Sequence, residues 1–198
     1  MDSRQVPARD DHLVRQFIAS FEPLDGLDDA RSESLPEELS VGADLNQAHT
    51  VCWRPAAIAT DREHLAPIYH KLPGRFPALY ERLVLSYRWM EVHLETVMLL
   101  ANPPGPTLAG LAGEMFRDPV LSDTLVRAGF VPFGRVSGGS YDPMCFDFNS
   151  MKGDDCPVIQ VEHEAILCHD RIGQSWRRFS SCRELMCETI NLAQSKRE

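Results

Sequence analysis

The densest group of side chains that could bind a metal ion lies between residues 162 and 169. Glu162, His163 and Glu164 are followed closely by Cys168 and His169. Zinc proteases with an HExxH motif place two histidines four residues apart on one face of a helix and use the glutamate as a base. Here the second histidine follows the first by six residues, so the chain does not carry that motif.

A zinc site is still a hypothesis if this segment is extended. Residues separated by an even number share a face of a strand, so His163 and His169 could lie together with Cys156 nearby. The apolar run 165–168 favours a strand, with residues 162–164 as the polar turn before it. Two interpretations stay open: a zinc-dependent hydrolase that uses these three side chains, and a turn that joins two strands.

Asp142 and Asp147 flank a short apolar run and are the second candidate for chemistry. Paired carboxylates can act as general acid and base, but the sequence shows no basic or nucleophilic partner for them. An aspartate before a proline, as at Asp142 and Pro143, is typical of a turn. Asp147 can bond the backbone of a loop. The sequence therefore favours a structural role for both carboxylates.

No motif of a nucleophilic enzyme or of a phosphate-binding loop is present. A serine hydrolase would carry a sequence such as GxSxG, which the chain lacks. Residues 134–139 are rich in glycine but lack the Lys-Ser/Thr ending of a phosphate loop, and they do not open a helix. We therefore expect no catalytic residue, no cofactor and no metal, and this expectation favours a binding protein over an enzyme.

The six cysteines are predicted to be reduced and mostly buried. No pair has CxxC spacing, and the N-terminal sequence has no apolar core of the kind found in signal peptides. Cysteine then behaves as a small hydrophobic residue. Three of them, Cys145, Cys168 and Cys182, have apolar neighbours in the sequence.

Helices are predicted in the first two thirds of the chain. Apolar spacing indicates an amphipathic helix within residues 8–21 and a stronger one from residue 76 to 87. Thr60 and Glu63 form a capping-box pattern for a short helix. Asp118 as N-cap, followed by a proline and ended by a glycine at position 129, predicts a further helix.

The last third is predicted to be an antiparallel meander that is followed by a helix. Four apolar runs, 130–133, 144–148, 158–161 and 165–168, are separated by glycine, aspartate and other turn formers. A second capping box at residues 181–184 starts the terminal helix. Helices, then strands, then a closing helix predict an α+β fold in which a meander sheet packs against N-terminal helices and a C-terminal helix.

The charge of the chain is negative and unevenly distributed. The net charge is −9, with 11 acidic and 4 basic side chains in residues 1–48 but 3 acidic and 6 basic ones in residues 171–198. An acidic surface repels phosphates and attracts basic proteins, so we expect a protein partner and no nucleic acid. The apolar runs are too short to cross a bilayer. The expected setting is the cytoplasm, without a membrane.

Five short segments follow one another along the chain: residues 77–87, 129–134, 142–147, 158–164 and 179–185. Together they resemble the SUKH superfamily, which includes fungal cell-wall-assembly regulators and many bacterial immunity proteins. They follow one another in the order and spacing of that superfamily and span about residues 73–190. Residues 1–59 lie outside the resemblance, and the strand that is rich in glycine in the family reads Arg88-Trp-Met-Glu-Val here.

The resemblance implies an α+β fold that acts by binding protein and has no catalytic residues. We expect residues 1–59 to be an acidic extension with one helix packed on the main domain, residues 60–198. The resemblance favours an immunity protein that occludes a toxin, with a housekeeping adaptor of the same fold as the alternative. The acidic charge of the chain favours a basic toxin domain as the partner. The expected docking face includes Tyr141, Asp142 and Asp147, since loops on a rigid sheet and exposed aromatic side chains are common in recognition.

Overall fold

The computed structural model describes residues 5–21, 35–41 and 53–197, and this part of the chain has an α+β fold. The α-helices in it are α1 (Gln5–Ala19), α2 (Ala66–Tyr69), α3 (Ala78–Ser86), α4 (Ala109–Met115), α5 (Pro119–Arg127), α6 (His163–His169) and α7 (Cys182–Ser195). The strands are β1 (Ala56–Ala57), β2 (Tyr87–Arg88), β3 (Val92–His93), β4 (Met98–Leu99), β5 (Phe130–Arg135), β6 (Pro143–Asp147), β7 (Val158–Val161) and β8 (Ser175–Phe179).

Six strands form one antiparallel sheet in the order β3-β4-β5-β6-β7-β8. Strands β1 and β2 pair separately. The predicted meander is confirmed for its first three runs, which become β5, β6 and β7. In the described residues no helix is both long enough and apolar enough to span a bilayer.

Alternate residues of the central strands enter two different hydrophobic clusters. Met144 and Phe146 belong to the larger cluster, and Cys145 between them belongs to the smaller one. Helices α1, α3 and α7 contribute to the larger cluster, and α5 and α6 to the smaller one. Since successive side chains of a strand point to opposite faces, the centre of the sheet is covered by helices on both faces.

Stacked aromatic rings fill the middle of the larger cluster. The rings of Phe133 and Phe146, on neighbouring strands, lie nearly parallel with their centroids 4.1 Å apart. Tyr80 of α3 meets both rings at a steep angle, with centroid distances of 5.7 and 4.9 Å. These contacts fix the position of α3 over β5 and β6, because such aromatic pairs add directional stabilisation to the burial of apolar area.

Helix α1 contributes to this same core. Its Phe17 side chain is 1% exposed, and Phe17 packs edge-on against Phe21. Asp10 accepts a hydrogen bond from the guanidinium of Arg183 on α7 at 2.7 Å. Asp11 forms an ion pair with Arg82 on α3. The first helix is therefore packed on α3 and α7, and both apolar and charged contacts hold it there.

Gly134 allows the β3–β4 hairpin to join the sheet. A Cβ atom at this position would lie 2.6 Å from the carbonyl oxygen of Met98 and 2.7 Å from a methyl carbon of Val97. Such distances are far inside van der Waals contact, so a side chain would push β4 away from β5. A register shift between Pro132 and Gly134 accompanies this close approach.

Two helix starts follow the predicted capping chemistry. The Asp118 carboxylate accepts a hydrogen bond from the Leu121 backbone N–H at 3.1 Å, as expected for the N-cap of α5. The Ser181 hydroxyl oxygen accepts one from the Glu184 N–H at 3.0 Å at the start of α7. The Glu184 carboxylate reaches back to Ser180 rather than to Ser181 itself.

Two local predictions were wrong. The run 165–168 is part of helix α6, and the strand that completes the meander is β8, which is largely exposed. Thr60 does not cap a helix; its hydroxyl oxygen accepts a hydrogen bond from the Arg88 guanidinium. The short helical segment begins after Asp61, whose side chain makes no capping bond.

Arg88 is buried at the C-terminal end of α3. Its side chain is fully inaccessible and donates to the carbonyl oxygens of Val84, at 2.6 Å, and Tyr87, at 2.8 Å. The side-chain amide of Asn102 donates to the same two oxygens. A cation is stabilised at a helix C-terminus because the last carbonyls are unpaired and carry partial negative charge. Burial lowers the pKa of Arg88 from its usual value.

We expect Phe17→Ala to destabilise the whole domain by about 4 kcal/mol, since it leaves a cavity in the shared core. Urea unfolding followed by circular dichroism measures this loss. Leu192→Ala is the control, because that side chain lies on α7 but is 41% exposed. Equal effects of the two substitutions would contradict the assignment of α1 to the core.

Candidate protein-binding site

The loop between β5 and β6 is held in shape at its base. Val136 donates a backbone hydrogen bond to the carbonyl oxygen of Asp142 at 3.0 Å. Gly138 and Gly139 have φ angles of +100° and +95°, a conformation that residues with a Cβ atom rarely adopt. The glycine pair therefore lets the chain reverse within the loop and leads directly into Ser140 and Tyr141.

Tyr141 is the most exposed of the large hydrophobic side chains in the described residues. Its exposed fraction is 70%. The tyrosine ring lies 6.1 Å from the His163 ring, centroid to centroid, at an angle of 62°. This contact with the first residue of α6 supports one side of the ring and leaves the rest accessible.

Asp142 is tied into the protein interior. Its carboxylate accepts hydrogen bonds from Gln160 Nε2 at 2.7 Å and from the His163 backbone N–H at 3.1 Å, and it contacts His163 Nδ1 at 2.6 Å. The side chain is only 13% exposed. Burial by itself would raise the pKa of Asp142, but the hydrogen bonds from His163 and Gln160 outweigh it and hold that pKa below its usual value. Asp142 thus anchors the loop to β7 and α6.

Asp147 lies at the other end of β6. Its carboxylate accepts a hydrogen bond from the Asn149 N–H at 3.1 Å and caps a short 3-10 turn, Phe148–Ser150. Asp147 follows Asp142 by five positions, which corresponds to about 16 Å along an extended chain. The sequence grouped Asp147 with the Tyr141 loop, whereas the structure places the two at opposite ends of a strand.

A shallow groove lies beside Tyr141 between the α4–α5 corner and the start of β6. Its apolar lining includes Leu121. The charges of the acidic and basic side chains around it nearly cancel. Glu114 pairs with Arg117 in a salt bridge. Asp118 caps α5, and Arg135 makes no ion pair with any described residue. The surface around Tyr141 is therefore aromatic and apolar in character, without the acidic field that the overall charge suggested.

The three side chains of the zinc hypothesis are not brought together. His163 is the first residue of α6 and His169 the last, about 9 Å apart along the helix axis and on different faces. Cys156 lies before β7 and is 2% exposed. Among the described residues no group of three or more histidine, cysteine, aspartate or glutamate side chains could hold a metal ion.

The described cysteines divide into two groups. Burial raises the pKa of Cys145 and Cys182 far above the usual thiol value, and burial together with the nearby carboxylates of Asp155 and Asp147 raises that of Cys156 to about 12. Cys168 and Cys187 are exposed, so the prediction of an apolar setting for Cys168 was wrong. Cys52 lies outside the described residues. The buried thiols are poor nucleophiles, since the thiolate is the reactive form.

Sequence reasoning missed the contribution of Gln160 and His163 to the loop. Both residues are about twenty positions away from Asp142, and their contact depends on the pairing of β6 with β7 and on the start of α6 beside it. No local pattern signals such a bond. Comparison with models of known protein families and with curated proteins gave no match to this chain.

We expect Asp142→Asn to destabilise the protein by about 2 kcal/mol near neutral pH, because charge-assisted bonds to Gln160 and His163 are weakened. The pKa of Asp142 is lower in the folded chain than in the unfolded one, so its carboxylate stabilises the fold above about pH 4. That stabilisation is lost as the pH falls through the folded-state pKa. Urea titrations between pH 6 and pH 3 should show wild type and variant converging; a constant gap would contradict this role.

We also expect thiol reactivity to follow burial. Brief treatment with iodoacetamide should modify Cys168 and Cys187 and spare Cys145, Cys156 and Cys182, because the last three are buried and their pKa is raised. Peptide mapping by mass spectrometry identifies the modified sites. A sample unfolded in urea serves as the control, in which all five must react. Native modification of the buried three at the rate of the exposed two would disprove the packing.

Proposed function

We propose that this chain is a cytoplasmic, non-catalytic protein-binding module of the SUKH type, and that it acts as an immunity protein by occluding a toxin. The support for this proposal is the five-segment resemblance in sequence together with the α+β fold. The anchored loop that carries Tyr141 gives the proposal a specific surface.

The exposed Tyr141 on a rigid support is the observation that carries the proposal. A tyrosine buries a large apolar area on binding and loses little rotational freedom, which is why it is common at binding hot spots. Four polar contacts fix the base of the loop: the backbone bond from Val136 and the three to the Asp142 carboxylate. A partner can therefore dock on Tyr141 without first ordering the loop, and this lowers the entropic cost of binding.

The net charge of the whole surface and the local charges near Tyr141 contribute differently to the proposed binding. The net charge of −9 attracts a basic toxin domain over distance and raises the association rate. The balanced charges near Tyr141, with Glu114 paired to Arg117, leave apolar contact to hold the complex. We therefore expect the association rate to depend strongly on salt and the dissociation rate to depend mainly on Tyr141.

A housekeeping adaptor would use the same fold and the same loop. The two roles differ in the partner, because an immunity protein must abolish the toxicity of its partner. A toxin gene directly beside the gene for this chain would favour the immunity role. Co-expression with the neighbouring gene product, scored by cell growth, then separates the two roles.

With that neighbouring toxin as the partner, we expect Tyr141→Ala to weaken binding about thirtyfold, which corresponds to about 2 kcal/mol. The loss should fall on the dissociation rate in surface plasmon resonance, and growth protection should decline with it. Leu192→Ala is the matched control, since it also removes an exposed apolar side chain but lies on α7.

The decisive contrary result is full affinity in Tyr141→Ala with normal folding. The interface would then lie elsewhere on the chain. Failure of the wild-type protein to protect cells from the neighbouring toxin would reject the immunity role itself, whatever the effect of Tyr141.

A further inference from the structure

A cavity of about 480 Å³, lined mainly by polar and charged residues, opens between β8, the start of α7 and the turn before β7. Its volume is in the range of pockets that hold small molecules. It is separate from the Tyr141 groove, and the proposed protein-binding function does not use it. The residues that line it and matter here are Ser150, Lys152, Asp155, Arg177, Ser180 and Ser181.

Two cations at the cavity form no ion pair in the described part of the chain. Lys152 and Arg177 are both exposed, and neither forms an ion pair with any residue in the described part of the chain. In contrast, Arg127 beside another cavity is engaged with Asp170 at 3.5 Å. Lys152 and Arg177 are thus free to bind an anion, although the net charge of the chain is −9.

Among the described residues that line the cavity, Asp155 carries the one carboxylate, and this carboxylate already accepts hydrogen bonds from the backbone. Asp155 Oδ1 accepts hydrogen bonds from the N–H groups of Cys156 and Cys182, both at 2.8 Å, and Oδ2 accepts one from Arg183 at 3.3 Å. These bonds spread its negative charge over the first amides of α7. They also occupy those amides, so the helix end itself does not provide the site.

Serine hydroxyl groups in the cavity lining can donate further hydrogen bonds. The Ser181 oxygen accepts a bond from the Glu184 N–H, which leaves its own proton free to donate. The Ser150 hydroxyl has no partner among the described residues. Ser180 differs, because its proton is donated to the Glu184 carboxylate at 2.6 Å. Two cations and two free hydroxyls therefore line one cavity.

A β-bulge places Arg177 at this cavity. Strand β7 pairs Val158 with Phe179 and the next residue, Ile159, with Arg177, so Arg178 is an extra residue in β8. Without the bulge, positions 177 and 179 would share a face of the strand. With it, Phe179 packs on the large core while Arg177 stays outside it. Bulges often redirect a side chain in this way next to functional sites.

We propose that this cavity binds the phosphate group of a small phosphorylated molecule. A phosphate monoester carries up to two negative charges and three terminal oxygens, which match the two cations and the two hydroxyl donors. A carboxylate has one charge and two oxygens and would leave part of this set unused. The cavity volume leaves room for an organic group beyond the phosphate.

Phenyl phosphate is the probe, and benzoate is the comparison ligand with a carboxylate. Titration into the ¹⁵N-labelled protein should shift the amide signals of residues 152, 177 and 182 along saturable curves. Arg177→Gln and Lys152→Met should each weaken phenyl phosphate binding about tenfold, because each removes a charged hydrogen-bond donor. The matched controls Arg178→Gln and Lys71→Met remove the same charges at positions that do not line the cavity, and they should bind as the wild type does.

The proposal fails if phenyl phosphate causes no saturable shift, or if Arg177→Gln and Lys152→Met bind it as tightly as the wild type. It fails also if benzoate binds equally well, since the site would then not select a phosphate. Both substituted side chains are exposed, and the spectrum itself reports whether the variants are folded. None of these outcomes depends on Tyr141 or on a toxin.

Discussion

The burial of both faces of the central sheet is the constraint on which the rest of this structure depends. Alternate side chains of β6, such as Cys145 and Phe146, enter separate cores, and helices cover each core. The flat faces of β5, β6 and β7 are therefore not available to a ligand. The surfaces that stay exposed include the ends of the strands and the edge at β8. The Tyr141 loop and the cavity at Arg177 occupy these two kinds of position.

The sequence predicted the structural features that depend on interactions between residues close together in the chain. Asp118 bonds an amide three positions away, and the Ser181 hydroxyl does the same for α7, so both helix starts are visible in the printed sequence. The short apolar runs 144–148 and 158–161, bounded by turn-forming residues, likewise predict strands from the local sequence alone. These signals were sufficient for the α+β class and for most of the helices.

The features that the sequence did not predict depend on contacts between residues that are distant in the sequence. The run 165–168 is short and apolar and fits a strand as well as a helix; α6 forms where Ile166 is buried and Asp142 accepts the first N–H group. Strand β8 has little apolar content, so its extended form follows from pairing with β7. An arginine such as Arg88 is expected on the surface, but hydrogen bonds to the carbonyl oxygens at the end of α3 hold this one in the interior. Of the three residues expected at the docking face, Tyr141 is exposed, whereas Asp142 is committed to internal bonds and Asp147 lies at the far end of β6.

Gly134 limits the evolutionary paths open to this chain. Any side chain there would collide with the carbonyl of Met98, so a lineage can replace the glycine only if it also loses or displaces the β3–β4 hairpin. Glycine at this position and the presence of residues 92–99 should accordingly be gained and lost together among distant relatives. Such paired occurrence provides a signature for detecting homologues that have diverged too far for overall similarity to reveal them.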